Sequence, residues 1–407
     1  MGKNVSLDPV ARAWARARFA AYYRGHRVSP PERFARREFA AFPFSDETLM
    51  RRHATFRSAQ ELSHYLGEEV PRHIYYSSAY YRTPEEPTMA RKEWLGADVI
   101  FDLDADHLRQ AQGRDYPGQL ALAKERFLHL VDDFLLGDFG LSLEQVALVF
   151  SGGRGYHAHV RDPAFLDLSS PERRELVDYI LGTGVDPSDA IIDQPAPDRV
   201  PRTQLKHFRA LRDPDEGGWP ARISGSLLRK LERWETLGVE GTLPELVGLG
   251  IPLGRARKLA HQLVEGKKSA QIRATRSLDV FRGAFPQELF DLVVRDAAVE
   301  VQGETDAPVT TDIHRLIRLP GSLHGGTGLR VLPLERDELD AFDPLRDAPP
   351  DTDGAAPVAV QLTEKVDYPF RDGRIHAAPG EALELEPAAA LFLLLRGEAT
   401  LPPGLGR

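Results

Sequence analysis

The fifteen residues Val146–Val160 constrain the fold more tightly than any other stretch of the chain. Two short segments, Val146–Phe150 and Tyr156–Val160, rich in aliphatic and aromatic residues, flank Ser151-Gly152-Gly153-Arg154-Gly155. Glycine frees the backbone for a sharp reversal, so the run reads as strand, glycine loop, strand. Alternation in the second strand puts His157 and His159 on one face and Tyr156 and Val160 on the other. Upstream, the apolar run from Asp98 to Leu103 has the same strand character. Between them Ala123, Phe127, Val131 and Phe134 recur at helical spacing within Gln119–Leu136. The order strand, helix, strand points to an α/β fold.

The rest of the chain fits around this centre. Val10, Trp14, Ala17 and Ala21 define an amphipathic helix between Asp8 and Tyr23, and Ile74–Tyr81 reads as strand. Residues 170–182 and 222–300 read as helical, the second stretch broken at Gly248–Pro252. Thr310-Thr311-Asp312 followed by Ile313, Leu316 and Ile317 predicts a short capped helix that Pro320-Gly321 stops. Gly328–Leu332 reads as strand and Asp347–Pro357 as an exposed loop, before a final apolar piece at Ala388–Leu395.

The chain has 407 residues, long enough for two or three folding units, and contains no cysteine. That excludes disulfides, thiol nucleophiles, thiolate zinc sites and Cys-ligated clusters within it, so a metal would have to sit on oxygen or imidazole. Met1–Leu7 lacks an apolar signal core and no run has the length of a membrane span, so a soluble, cytoplasmic protein is expected. The formal charge is −9. It is uneven, however: Arg222–Arg282 carries twelve Arg/Lys against six acids, a basic region able to attract a polyanion or simply to be a solvated face.

Three constellations carry chemistry. In Phe101-Asp102-Leu103-Asp104 the two acids share one face of a strand, where they repel each other unless a hard divalent cation such as Mg²⁺ or Mn²⁺ intervenes. Taken alone, the pair equally fits acids that end a strand and cap a turn. In Ser151–His157 a hydroxyl, a guanidinium and an imidazole accompany the glycines, a donor set for phosphate that is neither a Walker loop nor a dinucleotide fingerprint. A zinc-binding His157-x-His159 pair is the alternative there. Finally, Asp312, His314, Arg315, Arg318 and His324 form a carboxylate followed by a fan of cationic and imidazole donors suited to a metal-chelated triphosphate.

Together, and in this order, Arg37-Glu38-Phe39 with Arg51-Arg52-His53, Val99–Asp104, Ser151–Val160 and Thr310–Gly325 resemble the small, catalytic subunit of archaeal and eukaryotic replicative DNA primase, the archaeal form above all. The resemblance implies an α/β primase-like core, a mixed sheet flanked by helices over residues 1–205 and 300–407, with a helical insertion at 206–299. It implies that Asp102, Asp104 and Asp312 hold two divalent metals, Mg²⁺ or Mn²⁺, and that Ser151, Arg154, His157, Arg318 and His324 hold the incoming nucleotide, with Glu38 and Arg52 bordering the site. The implied activity is de novo synthesis of short RNA, and also DNA, primers on single-stranded DNA from nucleoside triphosphates. The implied partner is the large primase subunit, which holds the iron–sulfur cluster, in the intracellular, nucleoid-associated replication machinery. Family members commonly carry a Cys/His zinc site after the paired acids; without cysteine, no zinc is expected here. The rival readings are a repair or end-joining primase-polymerase, a non-catalytic single-strand-binding relative, and a hydrolase using His157 and His159.

Overall fold

The structure is a computed structural model and describes residues 7–45, 49–195, 207–281, 287–300, 302–352 and 355–402. The chain divides into two compact units, one of residues 1–136, 140–177 and 304–407, the other of 137–139 and 178–303.

The first unit is built on two four-stranded sheets. One contains β1 (Phe39–Phe42), β2 (Arg51–Ala54) and β3 (His73–Ser77), with Leu316–Arg318 on the outer side of β3. Ile74 and Tyr76 of β3 join a core made with Phe39, Ile317 and the buried faces of α1 (Pro9–Gly25) and α2 (Ala59–Glu69). Asp8 starts α1 by accepting from the amides of Val10 and Ala11, with Pro9 in the first turn. The predicted strand Ile74–Tyr81 is interrupted at Ser78. After β3, β4 (Ala79–Tyr81) pairs instead with β5 (Trp94–Ala97), beyond the short helix α3 (Met89–Lys92).

The second sheet contains β6 (Val99–Asp104), β7 (Val146–Phe150) and β8 (Gly155–Val160) in the order Leu332–Leu334, β7, β8, β6. β7 and β8 form the expected hairpin around the glycine loop, with Phe150 opposite Tyr156. β8 also pairs with β6, so α4 (Tyr116–His129) links two strands that run in the same direction with β8 between them. Helix α4 packs behind this sheet, where Phe127 stacks on Tyr156 with ring centroids 5.2 Å apart. The architecture is α/β, sheets flanked by helices, and every strand pair among the described residues is antiparallel.

Two local expectations are corrected. Residues 313–317 are not a helix. The helix runs from Ala307 to Thr311, one turn earlier, because Asp306 stands at its N-cap and Pro308 in its first turn; Leu316–Arg318 then extends as strand, with Ile317 opposite Tyr76. The stretch after Asp347 is not wholly exposed: Ala348, Pro349 and Pro350 are buried, and Ala348 accepts from the Arg330 amide.

The second unit is mainly helical: Gly218–Gly248, broken at Gly238 where φ is +70°, then Leu253–Leu263, Lys268–Thr275 and Gln287–Glu300. Its core centres on Trp234, Leu231, Leu259 and Ile272. It is wider than the stretch 206–299 read from sequence, since Ile191–Pro195 and His207–Leu211 pair with each other within it. Part of its basic excess is consumed internally, Arg233 pairing with Glu245 and Arg273 with Glu232 and Glu235. Among the described residues no helix is long and apolar enough to cross a membrane.

A fully buried ion pair fastens β3 to β6. Arg37 donates from Nη1 to the carbonyls of Ser77 and Ser78 and from Nη2 to Asp98 Oδ2 at 2.7 Å, while Tyr80 donates to Asp98 Oδ1. Neither Arg37 nor Asp98 exposes its side chain to solvent. Arg37→Leu therefore strands a buried carboxylate and is expected to cost about 3–5 kcal/mol, read as a lower denaturation midpoint, with Arg37→Leu/Asp98→Asn recovering part of the loss. A single-variant loss under about 1 kcal/mol would contradict this assignment.

Candidate active site

Antiparallel register brings the paired acids to the glycine loop. Asp102 lies opposite His157 and Asp104 opposite Gly155, on the face that Phe101 and Leu103 leave. Gly155 is required by this closeness: a Cβ there would come within 2.4 Å of the Leu103 carbonyl oxygen. Gly152 is required by conformation, with φ at +74°, and by His324, whose Cβ would lie 2.8 Å from an added one. The loop is tied down from three directions. Ser151 Oγ accepts from the amides of Gly153 and Gly155, Thr327 Oγ1 donates to Gly152 O, and Tyr116 donates to Gly153 O at 2.7 Å.

A cavity of about 670 Å³ opens between the loop and the β1–β3 sheet. Asp104, Asp106 and Arg154 line one side, Phe42, His73, Tyr75 and Arg318 another, and His324 and Arg396 also face it. Its guanidinium groups (Arg72, Arg154, Arg318, Arg396) are balanced by as many carboxylates (Asp104, Asp106, Glu364, Glu398). Arg154 is held by Asp106, and Arg396 by Glu398.

The histidines around the cavity are neutral. Burial, then the charges of Arg318 and Arg315, drive His157 down to about 3, and burial chiefly holds His73 and His324 well below the usual imidazole range. Arg318 Nη1 donates to His73 Nδ1 at 2.7 Å while its guanidinium sits over the Tyr75 ring. The Gly326 amide donates to His324 Nδ1, which Thr327 Oγ1 also approaches at 3.2 Å; the amide contact favours the proton of that neutral ring on Nε2, the atom beside Gly153.

Asp102 behaves oppositely. Burial, then the charges of Asp104 and Asp306, push its carboxyl up to about 7, against the pull of Arg315 and Arg318. His157 Nε2 lies 3.4 Å from Asp102 Oδ1. Asp306, which the sequence reading did not single out, adjoins Asp102: its amide donates to Asp102 O at 2.8 Å, and its carboxylate faces His107. The signal for it was present in Asp306-Ala307-Pro308, an acid followed by a helix-starting proline.

Of the sequence-predicted residues, Asp104, Arg154, Arg318 and His324 line the cavity. Asp102, Ser151 and His157 do not line it but adjoin those that do, through the β6–β8 pairing and the glycine loop. Asp312, Glu38 and Arg52 do not line it either. Asp312 is exposed, with its carboxylate accepting from the His314 amide, because it follows the Ala307–Thr311 helix instead of starting one. Glu38 is buried and saturated, accepting from Arg52 Nε at 2.8 Å and facing His53 and the fully buried Lys92. His314, hydrogen-bonded to Tyr81, joins this neighbouring cluster. Besides Asp306, sequence reasoning missed Arg72, His73, Tyr116 and Arg396, which reach the cavity from distant segments.

Among the described residues, no three acidic or imidazole groups converge closely enough to enclose a metal ion by themselves. The crowding of Asp102 against Asp104 and Asp306 nonetheless suits a hard cation, since Mg²⁺-type sites use one or two carboxylates and complete their shell with water and substrate phosphates.

Comparison with known proteins bears on the family of the chain. The family model for the DNA primase small subunit matches residues 101–336. DNA primase small subunit PriS of Methanocella arvoryzae is 38% identical over 404 residues, 98% of this chain and the whole of that relative. PriS of Methanothrix thermoacetophila is 41% identical over 407 residues, covering 97% of this chain and 99% of its own length. PriS of Haloarcula marismortui is 35% identical over 419 residues, with coverage of 97% and 99%. With a family match over more than half its length and relatives of this identity along nearly all of it, the chain belongs to the DNA primase small-subunit family.

Proposed function

We propose that this small subunit, by its family a DNA primase and so a nucleotidyltransferase, joins nucleotides on a single-stranded DNA template in the cavity between the glycine loop and the β1–β3 sheet. The observation that carries this is Asp102, pushed up to about 7 between burial and two neighbouring acids, one strand away from a tethered glycine loop. Asp102, Asp104 and Asp306 would hold the divalent ions, Mg²⁺ or Mn²⁺, with Asp306 in the place that the sequence reading gave to Asp312. Such ions, when bound, acidify a primer 3′-hydroxyl and neutralise charge on the transferred phosphoryl group.

The chain's own groups do the rest. Arg154 and Arg318 orient phosphate oxygens, and His324 donates from Nε2. His157, neutral, steadies Asp102 and withholds a positive charge that would compete with a cation. Ser151 serves indirectly, holding the loop amides in place. The equal numbers of guanidinium and carboxylate groups around the cavity suit a ligand that is itself near neutral, as a triphosphate carrying two divalent cations is. The large primase subunit is the proposed partner. De novo initiation on bare single-stranded DNA, as against extension only, would distinguish the replicative enzyme from a repair or end-joining primase-polymerase.

Two outcomes test this reading. In primer synthesis from labelled nucleotides on unprimed single-stranded DNA, with the large subunit present, Asp306→Asn is expected to lower turnover roughly 10²-fold or more, as are Asp102→Asn and Asp104→Asn, while Asp312→Asn stays near wild type. The reverse order for Asp306 and Asp312 would refute the assignment. The second concerns stability. The Asp102 carboxyl ionises near pH 4 when unfolded and near 7 when folded, so unfolding releases a proton in between and the cation-free chain loses stability as pH rises through that window. Asp102→Asn should consequently raise the unfolding temperature most at pH 8 and by clearly less at pH 5, where only part of that stability has been lost. Scanning calorimetry in chelator checks this; no gain at pH 8 would contradict it.

A further inference from the structure

Arg396 ends the helix Pro387–Arg396, sixty residues beyond the segment matched by the family model, yet it lines the cavity. Its guanidinium lies 3.8 Å from the centroid of the Tyr116 ring, and Nε donates to Glu398 Oε1 at 2.8 Å. Glu398 is fixed in turn by the Tyr368 hydroxyl. Both partners of this ion pair are largely withdrawn from solvent, with side-chain exposures of 19% and 11%. Tyr116 is the residue whose hydroxyl holds the Gly153 carbonyl, so Arg396 rests on the same ring that anchors the glycine loop.

That position fixes which end of a nucleotide Arg396 meets. The side of the cavity with Phe42 and Tyr75 offers flat surfaces for a base or sugar, with the Arg318 cation over the Tyr75 ring. The loop side carries Arg154, a donor for phosphates, beside Asp104 and Asp106, where cations that accompany phosphates would be held, and Arg154 and Arg396 both act electrostatically on Tyr116. A planar cation held by an aromatic face and a carboxylate is preorganised, so little rotamer freedom is lost when it binds an anion.

We propose that Arg396 binds the terminal phosphate of the nucleoside triphosphate, making the C-terminal segment Leu395–Glu398 part of the nucleotide site. This rests on the reading of the cavity as that site. Arg396 thereby distinguishes a triphosphate from a diphosphate.

The test is equilibrium binding of ATP and of ADP, each with Mg²⁺, to the full chain by titration calorimetry. Arg396→Ala leaves Glu398 buried without its partner, so Arg396→Gln/Glu398→Gln, which keeps the net charge and the hydrogen-bonding capacity, is measured beside it. Both variants are expected to lose roughly tenfold or more in ATP affinity and to bind ADP as wild type does. If Arg396→Ala fails to fold, the double variant decides. Equal losses for the two nucleotides, or no loss, in a variant with an unchanged unfolding midpoint would overturn the role of Arg396 while leaving the cavity reading intact. A wild-type chain that binds neither nucleotide would overturn both.

Discussion

The pairing of β6 with β8 is the interaction on which the rest depends. It sets Asp102 opposite His157 and Asp104 opposite Gly155, and it tolerates no side chain at Gly155 because Leu103 O already occupies that space. A one-residue slip would turn both acids into the packing against α4 and bring Phe101 and Leu103 to the cavity. The apolar face of β6 and β8 thus protects the polar one: Phe127, stacked on Tyr156, gives the register its energetic preference.

Charge is then distributed around this register with little waste. The Arg37–Asp98 pair joins β3 to β6, out of contact with solvent. Within the cavity Arg154 and Arg396 are each paired with an acid, and the histidines are kept neutral by burial. The surplus negative charge is concentrated where Asp102, Asp104 and Asp306 crowd together. Such crowding destabilises the empty site and is relieved by a cation, the trade expected of a functional centre.

What could be read from sequence was local. The alternation through Val99–Asp104 and Gly155–Val160 disclosed both strands and the shared faces of Asp102 with Asp104 and of His157 with His159, because a period of two needs no partner to be visible. Arg318 and His324 were picked out as members of a donor-rich run after Asp312, although the segment read there as helix is strand at Leu316–Arg318. Asp306 was not, since Thr-Thr-Asp looked like a helix start, whereas Asp306 and Pro308 had already begun that helix. The surroundings of Glu38 were not legible for a different reason: besides Arg52, it faces Lys92, which lies 54 positions away and is buried against it only in the fold. Likewise Arg72, Tyr116 and Arg396 come to the cavity through sheet pairing and helix packing, which no local pattern encodes.

The central claim is that Asp102, Asp104 and Asp306 are the carboxylates around which divalent cations bind. Its most direct test is anomalous diffraction from crystals of the chain soaked with Mn²⁺ and a non-hydrolysable nucleoside triphosphate. The account predicts manganese peaks at coordination distance, roughly 2.0–2.3 Å, from these three carboxylates, with the triphosphate lying against Arg154. Manganese bound at Asp312, with Asp306 left without metal, would contradict it.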